Sequence, residues 1–418
     1  MKRICPALLC CLLLWLPVFA AQGEEAGPDR TIVIATDLHY LSPTLTDYGQ
    51  RFMRIIEGAD GKVTHYTPQI CEAFVVDMLR LRPDAVILSG DLTLNGAPVS
   101  HEELADLLQP LREAGVRVLV IPGNHDTETP AYRFTAQGPV PIDGTPNNRF
   151  TEIYADYGYT DALDRDAHSL SYVAELYPDV WALMLDVNGN GANGTVKSAS
   201  FPWIERVLEQ AQAQGITVLG VSHQTLLPHN ALFVSGFAIN NYSQVLEMYQ
   251  RYGVQCNFSG HMHIQHIAQA SGVTEIVTES MAVPPCPYGI LRLKGGAPIS
   301  YDTRAVDVAG WARENGVTNQ KLLNFPAYAE DFYFRTAKAK IAASLTDPAI
   351  QAPIRERMAT LGAKLNAQYF SGARSAFEEE ADFALWQQYG PRNFFTYYLK
   401  TILDEPIRDM NHFSFQTE

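Results

Sequence analysis

Short apolar, β-branched runs that pass directly into polar clusters constrain this chain more than any other feature of it. Runs at 31–36, 85–89, 116–121, 180–185, 217–221 and 254–258 alternate with amphipathic stretches near 67–81, 100–114, 201–214 and 242–252. Such alternation predicts βαβ units and a largely parallel sheet covered by helices on both faces. Five of the runs lead into Asp37-Leu38-His39, Gly90-Asp91, Pro122-Gly123-Asn124-His125-Asp126, His223 and Gly260-His261-Met262-His263. In an open α/β sheet, ligands bind beyond the carboxyl ends of the strands. Two Asp, one Asn and four His are thereby expected at one edge of one sheet: Asp37, Asp91, Asn124, His39, His223, His261 and His263. Asp166-Ala167-His168 has the same DxH spacing but follows no apolar run, and reads as surface or turn residues.

The rest of the chain is organised differently. Runs at 274–278, 289–293 and 299–305 are closely spaced with turn residues between them, which predicts antiparallel strands and a second sheet. Segment 127–148 is rich in Pro, Gly, Thr and Asn without periodicity, and reads as a long loop of the kind that serves as a functional lid. Beyond 307 the pattern is helical, with helices expected over 322–342, 350–368 and 394–403 and an interruption at Ser371-Gly372. Its many Tyr and Phe residues read as packing for a small helical core. The resulting division is a signal peptide over 1–21, an α/β domain over 30–306 and a C-terminal helical domain over 307–418.

Charge and cysteine content narrow the function classes. With 31 Lys plus Arg against 46 Asp plus Glu, the formal net charge is −15, which disfavours binding to long nucleic acids. Met1, Lys2 and Arg3 precede an apolar run from Ile4 to Ala21 that ends in small residues, the pattern of a secretory signal. The expectation is an exported protein, extracellular or in the cell envelope, without stable membrane insertion after cleavage; a retained N-terminal anchor is the alternative. Cys5, Cys10 and Cys11 lie in that segment, leaving Cys71, Cys256 and Cys286, too few for a disulfide framework. No CxxC or zinc-finger spacing occurs.

In their order, the five clusters resemble the calcineurin-like metallophosphoesterase family, whose pattern is DxH, GD, GNHD or GNHE, an isolated His, then GHxH. Asp37-Leu38-His39-Tyr40-Leu41-Ser42-Pro43, Gly90-Asp91-Leu92-Thr93 and Ser100-His101-Glu102-Glu103-Leu104 further resemble its bacterial cyclic-nucleotide phosphodiesterase branch. An exported member of that branch with a C-terminal helical domain is similar over nearly the whole mature chain. The resemblance implies an α/β fold, an α/β/β/α sandwich of mixed sheets flanked by helices, followed by that helical domain. It also implies two metal ions: one held by Asp37, His39, Asp91 and His263, the other by Asp91, Asn124, His223 and His261, with Asp91 bridging. Carboxylate, imidazole and amide oxygen suit borderline divalent metals such as Mn, Fe, Zn or Co, and no thiolate joins them. Such a pair activates a water and neutralises phosphoryl oxygens, and it inverts the local field of an acidic protein, so that a small phosphoester can approach.

His125 lies next to Asn124 and is not needed as a ligand, which makes it the candidate general acid. Asp126 is either the group that orients His125 or a turn-forming aspartate. The implied activity is hydrolysis of phosphodiesters, cyclic nucleotides or related small diesters, by metal-bound hydroxide. A phosphomonoesterase, a cell-envelope phosphodiesterase and a non-catalytic metal-binding scaffold are the alternatives. His229 is a candidate for facing the substrate, and His266 reads as solvated or satisfied in the core. His65, His101, His168 and His412 read as structural or surface residues. Many family members carry a second histidine after the isolated one; here that position is Gln224.

Overall fold

A computed structural model of the protein describes residues 30–294, 297–375 and 380–415; the signal segment 1–21 lies outside them. The chain runs β1 (Arg30–Ala35), α1 (Gln50–Glu57), α2 (Thr67–Leu81), β2 (Ala85–Leu88), α3 (Pro98–Glu113) and β3 (Arg117–Val120). A hairpin, β4 (Ala131–Thr135) and β5 (Gly138–Ile142), is followed by α4 (Asn147–Ile153), β6 (Asp164–Arg165), β7 (Tyr172–Tyr177) and β8 (Val180–Leu185). Next come α5 (Phe201–Gln214), β9 (Thr217–Ser222), α6 (Tyr242–Tyr252), β10 (Cys256–Ser259), β11 (His266–Ala270), β12 (Val273–Val277), β13 (Pro287–Lys294) and β14 (Ala297–Ala305). The C-terminal part is α7 (Val308–Glu314), α8 (Gln320–Leu323), α9 (Phe325–Ser344), α10 (Ala352–Phe370), α11 (Glu380–Tyr389), α12 (Phe394–Asp404) and β15 (His412–Ser414).

Two mixed sheets face each other. One has the order β15-β14-β13-β1-β2-β3, the other β11-β12-β10-β9-β8-β7-β6. Strand β8 shows why the pair is stable: Val180, Ala182 and Met184 join the core between the sheets, whereas Trp181, Leu183 and Leu185 pack with Trp203, Ile204 and Val207 of α5 and Val245 and Tyr249 of α6. A strand with apolar residues on both faces is buried on both. On the outer side of the first sheet, Ile70, Phe74 and Met78 of α2 and Leu104, Leu108 and Leu111 of α3 close the fourth layer. The α/β/β/α sandwich is thus the observed architecture.

Several expectations change. The six early runs do not share one parallel sheet: β1, β2 and β3 lie in the first sheet and β8, β9 and β10 in the second, so the candidate residues come from the edges of both, because apolar spacing marks a buried strand without saying which sheet it joins. The run at 274–278 lies in β12, which pairs parallel with β10 and antiparallel only with β11. Apolar spacing reports burial of a strand and says nothing of its direction, and β11 carried no comparable run. Strands β13 and β14 are antiparallel as expected, but β13 joins the first sheet beside β1, converting a parallel sheet into a mixed one. Segment 127–148 is no featureless loop, since it contains the β4–β5 hairpin. Pro139 and Pro141 leave β5 short of ladder donors, so the pair stays a two-stranded ribbon.

The C-terminal helices form a separate core in which Trp386, Leu399, Ile402 and Met358 surround each other and Met262 and Ile264 of the loop after β10. Helix α7 belongs elsewhere: Val308, Trp311 and Ala312, with Leu322 of α8 and Phe325, Ala329 and Phe332 of α9, join the core of the α/β part, where α7 packs against α2. After α12 comes a strand, β15, on the edge of the first sheet, within a region that was expected to be a helical domain. Caps fix the helix starts, with Asp307 accepting from Gly310 N–H and Asn393 from Phe395 N–H. Cys71, Cys256 and Cys286 are free and buried. Among the described residues no helix is long and apolar enough to cross a membrane.

His65 joins the two parts, its Nε2 lying 2.6 Å from the Tyr328 hydroxyl of α9 and its ring 5.1 Å from that of Phe332. Burial, then the Lys321 amine, lowers its pKa to about 4. The unfolded chain binds this proton near pH 6.5, so the stabilisation is complete above that pH and is lost as pH falls toward 4. In metal-stripped protein, calorimetry at pH 7 and pH 4.5 should show a smaller acid loss for His65→Gln than for the wild type, by roughly 2 kcal/mol. Parallel acid profiles for the two would refute this.

Candidate metal centre

The carboxyl ends of β1, β2, β3, β9 and β10 deliver the candidate residues to one place, across both sheets. Five of them sit in the left-handed backbone region: Asp37 (φ 51°), His39 (φ 46°), Asp91 (φ 48°), His261 (φ 66°) and His263 (φ 55°). Such conformations cost about 1–3 kcal/mol each and persist where their surroundings over-determine them. Here the loops are laced together by Asp37 N to Gly90 O, His39 N to Asp91 O and Tyr40 N to Leu92 O, all 3.0 Å. Two motif glycines are explained by close approach: a Cβ on Gly123 would lie 2.2 Å from Asp91 N and Oδ1, and one on Gly260 would lie 2.0 Å from Thr36 Oγ1.

The side chains form two groups sharing Asp91. Asp37, His39, Asp91 and His263 make one, Asp91, His223 and His261 the other, with donor atoms within 4.8 Å of one another in each. His39 Nε2 and His263 Nε2 face each other at 3.1 Å, and His263 Nε2 lies 3.1 Å from Asp37 Oδ1. In the second group His223 Nε2 is 3.3 Å from Asp91 Oδ1 and 3.1 Å from Asn124 Oδ1, which adds the amide to that set. Asp37 and Asp91 are buried. Asp37 Oδ1 accepts no well-formed hydrogen bond. Buried lone pairs converging without a proton donor between them fit a divalent cation, and the oxygen and imidazole set suits one.

Hydrogen bonds outside the cluster set the tautomers. His223 Nδ1 donates to Ser89 O at 3.0 Å, leaving the Nε2 lone pair for the site, and His261 Nε2 donates to Gly236 O at 2.8 Å, leaving Nδ1. Ligating histidines are held in this way by a partner on the other nitrogen. Burial, then the Lys62 amine, holds His39 well below the usual imidazole range and therefore neutral. Burial alone would raise the carboxylates; the imidazole of His263 holds Asp37 low, and those of His223 and His125 hold Asp91 well below the ordinary range. Burial would likewise lower His223, but without a cation the Asp91 charge carries it up to about 9, so a cation bound there would displace the Nε2 proton and take up that lone pair.

His125 and Asp126 differ in fate. His125 is partly exposed, with Nδ1 donating to Leu94 O at 2.7 Å and Nε2 3.8 Å from Asp91 Oδ2. Asp126 is buried and makes no hydrogen bond to His125. It accepts instead from Leu92 N (3.0 Å), Thr93 N (2.9 Å), Gly123 N (2.8 Å) and Thr93 Oγ1 (3.1 Å). The turn reading of Asp126 is the one the geometry supports: it ties the loop after β2 to the loop after β3, and the Leu94 carbonyl orients His125.

Sequence reasoning missed two neighbours. Lys62 is nearly buried and pairs with Asp60 at 3.0 Å, and Asp60 lies 3.8 Å from His263 Nδ1. Against burial, Lys62 and His263 hold the Asp60 carboxyl below its usual range. Both sit in the turn after α1, in a stretch without strand or motif, so nothing local marks them. His229 does not face the centre: it is buried, with Nδ1 2.8 Å from His266 Nδ1 and Nε2 3.1 Å from Glu275 Oε2. His266 continues the chain to Glu405 at 2.5 Å. His101 is buried against the Asp126 carbonyl at 3.0 Å. His168 is exposed, but Asp166 is buried and anchors its turn by accepting from Ser169 Oγ at 2.6 Å. His412 is exposed and pairs with Asp409 at 2.9 Å. Gln224 exchanges two amide hydrogen bonds with Asn188, at 2.9 and 2.8 Å.

With this geometry in place, residues 30–265 match the calcineurin-like phosphoesterase family model. The chain belongs to that family. Residues 307–409 match the C-terminal domain of cyclic nucleotide phosphodiesterase. The sequence is 26% identical over 113 residues to a cAMP/cGMP dual specificity phosphodiesterase of Mycobacterium tuberculosis, covering 27% of this chain and 32% of that protein. It is 36% identical over 105 residues to a probable cyclic nucleotide phosphodiesterase of Synechococcus, covering 25% and 34%. The matched region spans about a third of the length of these curated relatives. Among solved structures, a dimetal phosphatase from Danio rerio is similar over 66% of this chain and 95% of its own, at 15% identity and a TM-score of 0.46.

Replacing Asp126 with Ala leaves three amides and a hydroxyl without their buried acceptor. Urea unfolding should show a loss of roughly 3 kcal/mol. A loss below about 1 kcal/mol would mean that the two loops do not depend on this carboxylate.

Proposed function

We propose that this phosphoesterase is an exported phosphodiesterase with a two-metal centre, acting on small phosphodiesters, cyclic nucleotides among them. The observation that carries the reading is the pair of donor groups joined by one buried carboxylate, with His125 Nε2 beside it. The C-terminal match and the names of the two relatives support cyclic nucleotides as substrates. The basic and apolar N-terminus supports export.

Asp37, His39, Asp91 and His263 would hold one cation and Asp91, Asn124, His223 and His261 the other. Bound Mn, Fe, Zn or Co supplies charge neutralisation at the phosphoryl oxygens and a water of lowered pKa. The remaining work belongs to the chain. Because the Leu94 carbonyl takes the Nδ1 proton of His125, the protonated ring can give only its Nε2 proton, which faces the centre, to the departing alkoxide. Lys62 and Asp60 fix the ring of His263 from behind.

Mature protein loaded with Mn²⁺ should hydrolyse bis(p-nitrophenyl) phosphate and a cyclic nucleotide faster than p-nitrophenyl phosphate. Preference for the monoester would identify a phosphomonoesterase, and inactivity with several metals a non-catalytic scaffold. Asp91→Ala should lose both bound metal and activity. His125→Ala should retain metal by elemental analysis yet lose about 10²- to 10⁴-fold on cyclic nucleotides, and less on p-nitrophenyl esters, whose leaving group needs no proton. Equal losses on both substrates would argue against the general-acid role.

A further inference from the structure

One cavity beside the centre is built by both parts of the chain. It has a volume of about 330 Å³ and begins at the metal-ligand candidates His261 and His263. Phe233 and Phe237, from the segment between β9 and α6, and Phe394 and Tyr398 of α12 line it together, the Phe233 ring in contact with both α12 rings. Phe394 is 53% exposed although apolar. Its ring lies nearly parallel to that of Tyr398, at 5° and a 6.2 Å centroid separation, and is tilted 62° to Phe233 at 6.1 Å. Phe237 carries the aromatic surface to the centre, 5.5 Å from the His261 ring.

Polar groups among these walls are already engaged. Asn366 donates its amide to the Tyr333 hydroxyl and accepts from that of Tyr398, and Tyr369 Oη accepts from Asn230 Nδ2 at 3.2 Å. The cavity therefore presents mainly ring faces, with the Lys340 amine and the Asp60 carboxylate as the charged groups of its lining. Aromatic faces of this kind bind flat π-systems by stacking, without reading their edges.

We propose that this cavity receives a flat aromatic ring of the substrate, a nucleobase, stacked against Phe394, Tyr398, Phe233 and Phe237 while its phosphoryl group lies at the metal centre. This rests on the phosphodiesterase reading above and makes the C-terminal helices determinants of specificity. A neighbouring cavity, which shares Ala59 and Asp60 with the first and is lined by His125, Leu94 and Lys62, then takes the departing oxygen.

The test is a calorimetric titration of the Mn²⁺-loaded full chain with adenosine 5′-monophosphate, ribose 5-phosphate and octyl phosphate. Adenosine monophosphate should bind on the order of 10-fold tighter than ribose 5-phosphate, and Phe394→Ala should remove most of that difference. Phe237→Leu, which keeps apolar volume but no ring, should also reduce it, with circular dichroism checking that both variants fold. An undiminished difference in both variants, equal affinity for the two sugar phosphates in the wild type, or octyl phosphate binding as tightly as the nucleotide would each overturn the assignment. Because binding is measured, a failure of phosphodiester turnover would refute the preceding reading while this outcome stood apart from it.

Discussion

The buried carboxylate of Asp91 is the constraint on which the rest of the site depends. An ionised carboxylate withdrawn from water is unfavourable unless it is compensated by charge or hydrogen bonds. Here compensation comes from two directions: His223 at 3.3 Å from the second sheet and the His125 backbone N–H at 2.9 Å from the loop after β3. The two sheets meet at this atom pair. The antiparallel insertion of β13 beside β1 extends the first sheet on the side away from β2, leaving the adjacent ends of β1, β2 and β3 together.

Strain accompanies the arrangement. Five adjoining ligand candidates in left-handed conformations carry an energetic burden that regular loops would avoid. It is offset locally by the ladder of backbone bonds from 37–40 to 90–92 and by Asp126, whose oxygens gather the amides of 92, 93 and 123. A conserved-looking motif such as Gly-Asn-His-Asp thus mixes residues of different kinds: Asn124 and His125 face the chemistry, whereas Gly123 and Asp126 hold the loop that presents them.

Much of this was legible in the chain. The strand runs are strongly apolar, they are short, and polar residues follow them at once, so the convergence of Asp37, His39, Asp91, Asn124, His223, His261 and His263 could be read directly, whereas the runs alone pointed to one parallel sheet and the two-sheet sandwich came from the family resemblance. What escaped depended on partners distant in sequence. Nothing in 273–277 says that its neighbour is parallel β10, nothing in 287–294 says that it lies beside β1, and Asp126 looks the same whether it points at His125 or at backbone amides. Asp60 and Lys62 act through folding alone, brought beside His263 by a turn without periodicity. His229 misled for the same reason, since closeness to His223 in sequence does not govern which way a buried ring turns; Glu275 and His266 do.

The final strand has a mechanical consequence. Residues 307–411 leave the first sheet at the end of β14, build α7 to α12, and return so that Tyr301 and Phe413 stand opposite each other on that same strand. The helical part is therefore sewn on at both ends, more like the handle of a cup than a door on a hinge. A hinged door would swing away to release product. Swinging such a handle away from the site means breaking the β14–β15 pairing or the Glu275, His229, His266 and Glu405 chain first.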